Sequence, residues 1–115
     1  MRNMNNVLQA YSTSTNSRGY REQEADLFLR INTLLRRGRE QGGLAHAKAL
    51  ADNRRLWGMV LDLLRDPGNA LPPPLRGSII SIGLCLQREM EKPEPNVDFL
   101  VSVNEDIAAG LAGSP

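Results

Sequence analysis

One histidine and one cysteine, His46 and Cys85, are all that this 115-residue chain offers of two residue types prominent in metal sites and nucleophilic catalysis. No Cys, Asp or Glu set at ligand spacing accompanies His46, and no triad or acid–base pair stands at a recognisable separation. A solvated or partly packed histidine is therefore expected. No cofactor, metal or enzymatic reaction is expected either. Gly42-Gly43 lacks the strand and lysine context of a phosphate-binding loop. A single cysteine forms no intramolecular disulfide and suits a reducing compartment. With no basic partner nearby in sequence, Cys85 reads as a small apolar filler. No apolar run reaches the length of a membrane span, and the polar N-terminus lacks the apolar core of a signal peptide. The expectation is a soluble cytoplasmic protein. Aromatics make up only 4% of the residues, so leucine, isoleucine and valine must fill the core. A formal net charge of +1 argues against a surface given over wholly to nucleic acid.

What is present is helical periodicity. A chain of this length makes one domain with one modest core. The centre of the pattern is Ala45–Ile82, where Leu50, Trp57, Val60, Leu61 and Leu64 recur at three- and four-residue spacing. Asp66-Pro67-Gly68-Asn69 and Leu71-Pro72-Pro73-Pro74 then break the helix. Periodicity resumes at Leu75, Ile79, Ile82 and Leu86, with the start near Pro73 or Pro74, where a missing N–H does no harm. Ile80 and Leu84 lie off that stripe, so this third helix is either central in the bundle or carries a second apolar face. Pro93 and Pro95 end it.

An earlier helix is expected from about Arg21 to Arg39, with Leu27, Ile31, Leu34 and Leu35 on one face and Phe28 beside it. Its early carboxylates and late arginines suit the helix dipole, and Gly38 with Gly42-Gly43 ends it. A last helix runs from Asn96 to about Leu111, with Phe99 or Leu100, Val103, Ile107 and Leu111 on one side. Residues 12–19, STSTNSRG, show no burial pattern and do not offset their own ordering entropy. The fold class expected is all-α: a small four-helix bundle-like domain over 20–115, with a flexible N-terminal arm over 1–19.

Trp57 is expected in the core. Asn53 and Arg54 fall one turn before it, at the edge of the apolar face. A buried, unpaired amide costs roughly 1–3 kcal/mol, so Asn53 needs partners. The free backbone groups of the proline-rich corner are the partners expected.

In several places the sequence resembles one family. The marks are Ala10-Tyr11; the run from Ala49 through Asn53-Arg54-Arg55-Leu56-Trp57; Asn69-Ala70-Leu71-Pro72; Leu75-Arg76-Gly77-Ser78-Ile79-Ile80-Ser81-Ile82; and Asn104 with Leu111-Ala112-Gly113. Taken in order, they are similar to the bacterial flagellar biosynthesis regulator family FlaF over nearly the whole chain. The resemblance implies a small helical cytoplasmic protein that binds flagellin, keeps it unassembled and aids its export. It also implies an influence on flagellin synthesis together with a partner regulator, FlbT, that acts on flagellin messenger RNA.

Two readings of the residues stand beside that resemblance. The first is a groove for an amphipathic helix, as flagellin's terminal segments are, between the central and third helices. Ile80 and Leu84 would supply its apolar contacts, and Leu8 and Tyr11 would close over the bound segment. Asn53, Arg54, Trp57, Asn69 and Leu71 would form a structural corner that shapes this site. The alternative is direct RNA binding through Arg30, Arg36, Arg37 and Arg39, with Arg54 and Arg55 nearby. It is disfavoured by the near-neutral charge and the shortage of aromatics for base stacking.

Overall fold

A computed structural model describes the backbone over residues 2–113 and the side chains over residues 22–113. It contains four helices: α1 (Arg2–Gln41), α2 (Gly43–Arg65), α3 (Pro73–Met90) and α4 (Val97–Leu111), with no strand among the described residues. The fold is all-α, as the periodicity predicts.

Helical backbone begins at Arg2 rather than near Arg21, so residues 2–19 continue into the same helix as residues 20–41. Leu8 and Tyr11, expected to close over a partner, have side chains outside the described residues.

The helix ends follow the sequence chemistry. Gly42 and Gly43 have φ of 71° and 55°, which lets the chain reverse between α1 and α2 with hardly a residue spent. Gly38 does not end α1. It lies inside the helix, and a Cβ there would sit 2.8 Å from the Ala45 carbonyl oxygen, so its role is to let α2 approach. α3 opens with proline in its first turn. α4 is capped by Asn96, whose side-chain oxygen accepts from the Phe99 N–H at 3.1 Å.

α2 folds back along α1, and α4 packs on α1 in the antiparallel sense, while α3 packs on α2. The α1–α4 contact is edged by two exposed ion pairs, Arg36 with Glu105 and Arg39 with Asp98. Gly83 lets α3 come down onto α2: a Cβ there would lie 2.8 Å from Leu61 Cδ2 and 3.1 Å from Trp57 Cε3. The core is built from Phe28, Ile31 and Leu35 of α1, Leu50, Leu56 and Trp57 of α2, Leu86 and Met90 of α3, and Leu100, Val101 and Ala108 of α4. Phe28 meets Trp57 edge to face, with ring centroids 5.9 Å apart.

Two buried faces only partly coincide with those the sequence pattern suggests. On α1, Leu27 and Leu34 are each 39% exposed, and Ala25, Phe28, Ile31, Asn32 and Leu35 face inward. On α4, of Phe99 and Leu100 it is Leu100 that is buried, together with Val97, Val101, Asn104 and Ala108, while Val103, Ile107 and Leu111 pack half-buried against the core. In both helices an asparagine occupies the middle of the inward stripe. Cys85 is exposed, so it is not a core filler.

Candidate functional site

The three buried asparagines organise the centre of the molecule. Asn104 donates through Nδ2 to Asn32 Oδ1 at 2.9 Å and to Asn53 Oδ1 at 2.8 Å, while its own Oδ1 accepts from Trp57 Nε1 at 2.8 Å. Asn32 Nδ2 continues to the Val101 carbonyl at 3.0 Å, and Asn53 Nδ2 reaches Met90 Sδ at 3.1 Å. One residue set thus ties together all four helices. Polar groups buried this deeply hold a single arrangement because any other leaves amides unpaired.

This arrangement corrects the expected role of Asn53. Its side chain bonds Asn104 and Met90 and does not tie down the proline-rich corner. Trp57, likewise, does not lie beneath that corner; it packs on Phe28 and bonds Asn104. The corner is held by its own residues. Asn69 donates from Nδ2 to the Leu63 carbonyl at the end of α2 and accepts the Leu71 N–H on Oδ1, both at 3.0 Å. Asp66 accepts the Gly68 N–H at 2.8 Å. Arg54 is exposed on α2. The five residues expected to form one corner therefore divide: Asn53 and Trp57 in the core, Asn69 and Leu71 at the turn, Arg54 at the surface.

The turn opens onto a groove. The first half of α3 and the last half of α4 stand apart, and between them lies a space of about 630 Å³. Leu71, Leu75, Ile79 and Ile82 form one wall, Ile107 and Leu111 the other. Leu75 is 48% exposed and Ile82 37%. The stripe Leu75–Ile79–Ile82–Leu86, read from the sequence as a core face, is thus split. Leu86 is buried, and the three residues before it line the groove. Glu24 and Asp106 also line it. Ile80 and Leu84, the contacts expected from sequence, are half-buried on α3 and do not line this groove.

A smaller cleft of about 280 Å³ lies between α1 and α2, where Arg37, Gln41, Lys48 and Asp52 stand beside Leu34, Ala45 and Ala49. Of the arginines considered for RNA, Arg36 and Arg39 pair with α4 carboxylates and Arg55 pairs with Asp52. His46 is half-buried beside the α1–α2 turn, with Nδ1 enclosed and no partner among the described residues. Among the described residues, no three His, Cys, Asp or Glu side chains are placed to hold a metal ion, and no helix is long and apolar enough to cross a membrane.

The family model for the flagellar protein FlaF matches residues 7–111, which takes in all of α2, α3 and α4 and most of α1. The chain belongs to the FlaF family. That membership places it in flagellar biogenesis and its regulation. Comparison with curated proteins and with solved structures gives no match. The family match spans both the asparagine cluster and every residue of the groove.

Proposed function

We propose that this FlaF-family protein is a non-enzymatic, cytoplasmic flagellin-binding chaperone and regulator that holds flagellin monomers for export. The observation that carries the reading is the groove between α3 and α4: about 630 Å³, walled by leucine and isoleucine, in a chain of a flagellar family. A helix laid into an apolar groove is a common mode of recognition, anchored at i, i+3 or i+4, and i+7. Leu75 to Ile82 covers about 10 Å of helix at 1.5 Å per residue, enough to meet two turns of a partner. Flagellin's amphipathic terminal segments have that chemistry. A bound segment masked in this way is kept from assembling. Any influence on flagellin synthesis is assigned to the partner regulator FlbT rather than to RNA contact, a choice favoured by the near-neutral net charge of +1.

The reading is tested by calorimetric titration of monomeric flagellin into the protein at low and at high salt. Apolar burial gives binding that changes little with salt, whereas phosphate contacts weaken steeply. Absence of binding at both salt concentrations overturns the proposal.

A further inference from the structure

The helical glycines divide into two kinds. At Gly38 and Gly83 a Cβ would run into α2, so packing accounts for the missing side chain. At Gly58, Gly77 and Gly110 a Cβ would meet nothing within 4 Å, and none of them has the positive φ that favours glycine; of the three, Gly110 is the one that lines the groove. Glycine weakens a helix relative to alanine, so Gly110 is unfavourable to α4 with no return inside the fold. It lies in the wall of the groove, between Ile107 and Leu111. On the facing wall Ser78 is the small residue between Leu75 and Ile82. Ser78 and Gly110 are thus the smallest residues that α3 and α4 contribute to the groove. Asp106 and Glu24 stand in its lining, and neither has a cationic partner among the described residues.

We infer that the groove is selective: it takes an amphipathic helix with a bulky apolar anchor seated between Ser78 and Gly110 and a lysine or arginine flanking the apolar stripe. Gly110 is thus a specificity-determining residue, its bare backbone making room for the anchor. Asp106 and Glu24 orient the segment by pairing with the flanking cation, which acts on encounter and register more than on the apolar contact itself. This inference rests on the chaperone reading for the identity of the partner, and on the groove alone for its chemistry.

The test uses the full chain and three probes: monomeric flagellin, and two synthetic amphipathic peptides that share one leucine stripe but are flanked by lysines in one and glutamates in the other. Gly110→Leu fills the groove from α4, Ser78→Leu from α3, and Asp106→Asn removes one charge. The wild type is expected to bind the lysine-flanked peptide about tenfold more tightly than the glutamate-flanked one, and Asp106→Asn to reduce that preference. Gly110→Leu and Ser78→Leu are each expected to weaken flagellin and lysine-peptide binding about tenfold or more, with a melting temperature no lower than the wild type's for Gly110→Leu. If flagellin does not bind but the lysine-flanked peptide does, and Gly110→Leu abolishes that binding, the chaperone reading fails and the selectivity stands. If flagellin binds and a folded Gly110→Leu or Ser78→Leu binds it unchanged, the selectivity fails. Equal affinity for the two peptides also overturns it.

Discussion

Trp57 Nε1 donates to Asn104 Oδ1 at 2.8 Å, joining the only tryptophan of α2 to the amide at the centre of α4. Asn104 serves three residues at once, because its Nδ2 also bonds Asn32 and Asn53. Both side chains of the Trp57–Asn104 bond are fully buried, so no water stands ready to replace either partner.

Asn104→Ala removes that hub and leaves Trp57 Nε1, Asn32 Oδ1 and Asn53 Oδ1 without their bonds. Each unpaired buried group costs roughly 1–3 kcal/mol, and the three overlap because they share one cavity. A total loss of about 3–5 kcal/mol is expected, read by urea denaturation as a lower midpoint. A loss below about 1 kcal/mol would show that the three groups find new partners.

The asparagines also explain where the sequence was legible and where it was not. The α2 stripe, Leu50, Trp57, Leu61 and Leu64, was readable because its apolar residues are the ones that bury. The starts of α3 and α4 were readable from Pro73 and Asn96, whose backbone chemistry is local. In α1 and α4 the hydrophobic pattern marks part of the buried face, Ile31, Leu35 and Leu100 among it, but passes over Asn32 and Asn104, which take up inward positions. The available signal was spacing: Phe28, Asn32 and Leu35 fit one helix face, as do Leu100, Asn104 and Ala108. An amide on such a face in three helices suggests that the amides meet. The groove was only partly legible. Periodicity marks Leu75, Ile79 and Ile82 as apolar, but whether α4 closes over them depends on how far apart α3 and α4 stand.

Gly38 and Gly77 should respond in opposite directions to the same substitution. Gly38→Ala would place a methyl group 2.8 Å from the Ala45 carbonyl oxygen and 3.0 Å from His46 Cα, both on the backbone of α2. The two helices must separate, with an expected loss of about 1–3 kcal/mol. Gly77 has open space around it, and Gly77→Ala is expected to stabilise by about 0.5–1 kcal/mol through helix propensity. Thermal unfolding of the two variants side by side checks both signs.

The break between α3 and α4 carries a pH-dependent tie. Glu89 Oε2 accepts the Asn96 N–H at 2.9 Å, and its Oε1 pairs with Lys92 Nζ at 2.9 Å. The Asn96 N–H first, and then Lys92, hold the Glu89 carboxyl below its ordinary value of 4.5. A carboxyl with a lowered folded value contributes stability above the ordinary value and loses it as pH falls through the lowered one. The melting-temperature difference between wild type and Glu89→Gln is therefore expected to be steady above pH 4.5 and to shrink below it. A difference that grows on acidification would contradict the assignment.

Asn69 governs the corner that closes one end of the groove. Asn69→Ala frees the Leu63 carbonyl and the Leu71 N–H, which are near enough to solvent for water to take over part of both bonds. The expected cost is about 1 kcal/mol, with a larger effect on the position of Leu71. Amide hydrogen exchange at Leu71 is expected to quicken well beyond that at Leu100 in the core.

The most direct test of the groove as a flagellin site is the affinity of Ile82→Asp for monomeric flagellin, measured by calorimetry beside the wild type with a melting curve for each. Ile82 is partly exposed in the groove wall, so the fold is expected to survive the change. Binding is expected to weaken about tenfold or more, since a carboxylate buried against an apolar helix has no partner. A folded Ile82→Asp variant that binds flagellin as tightly as the wild type would contradict it.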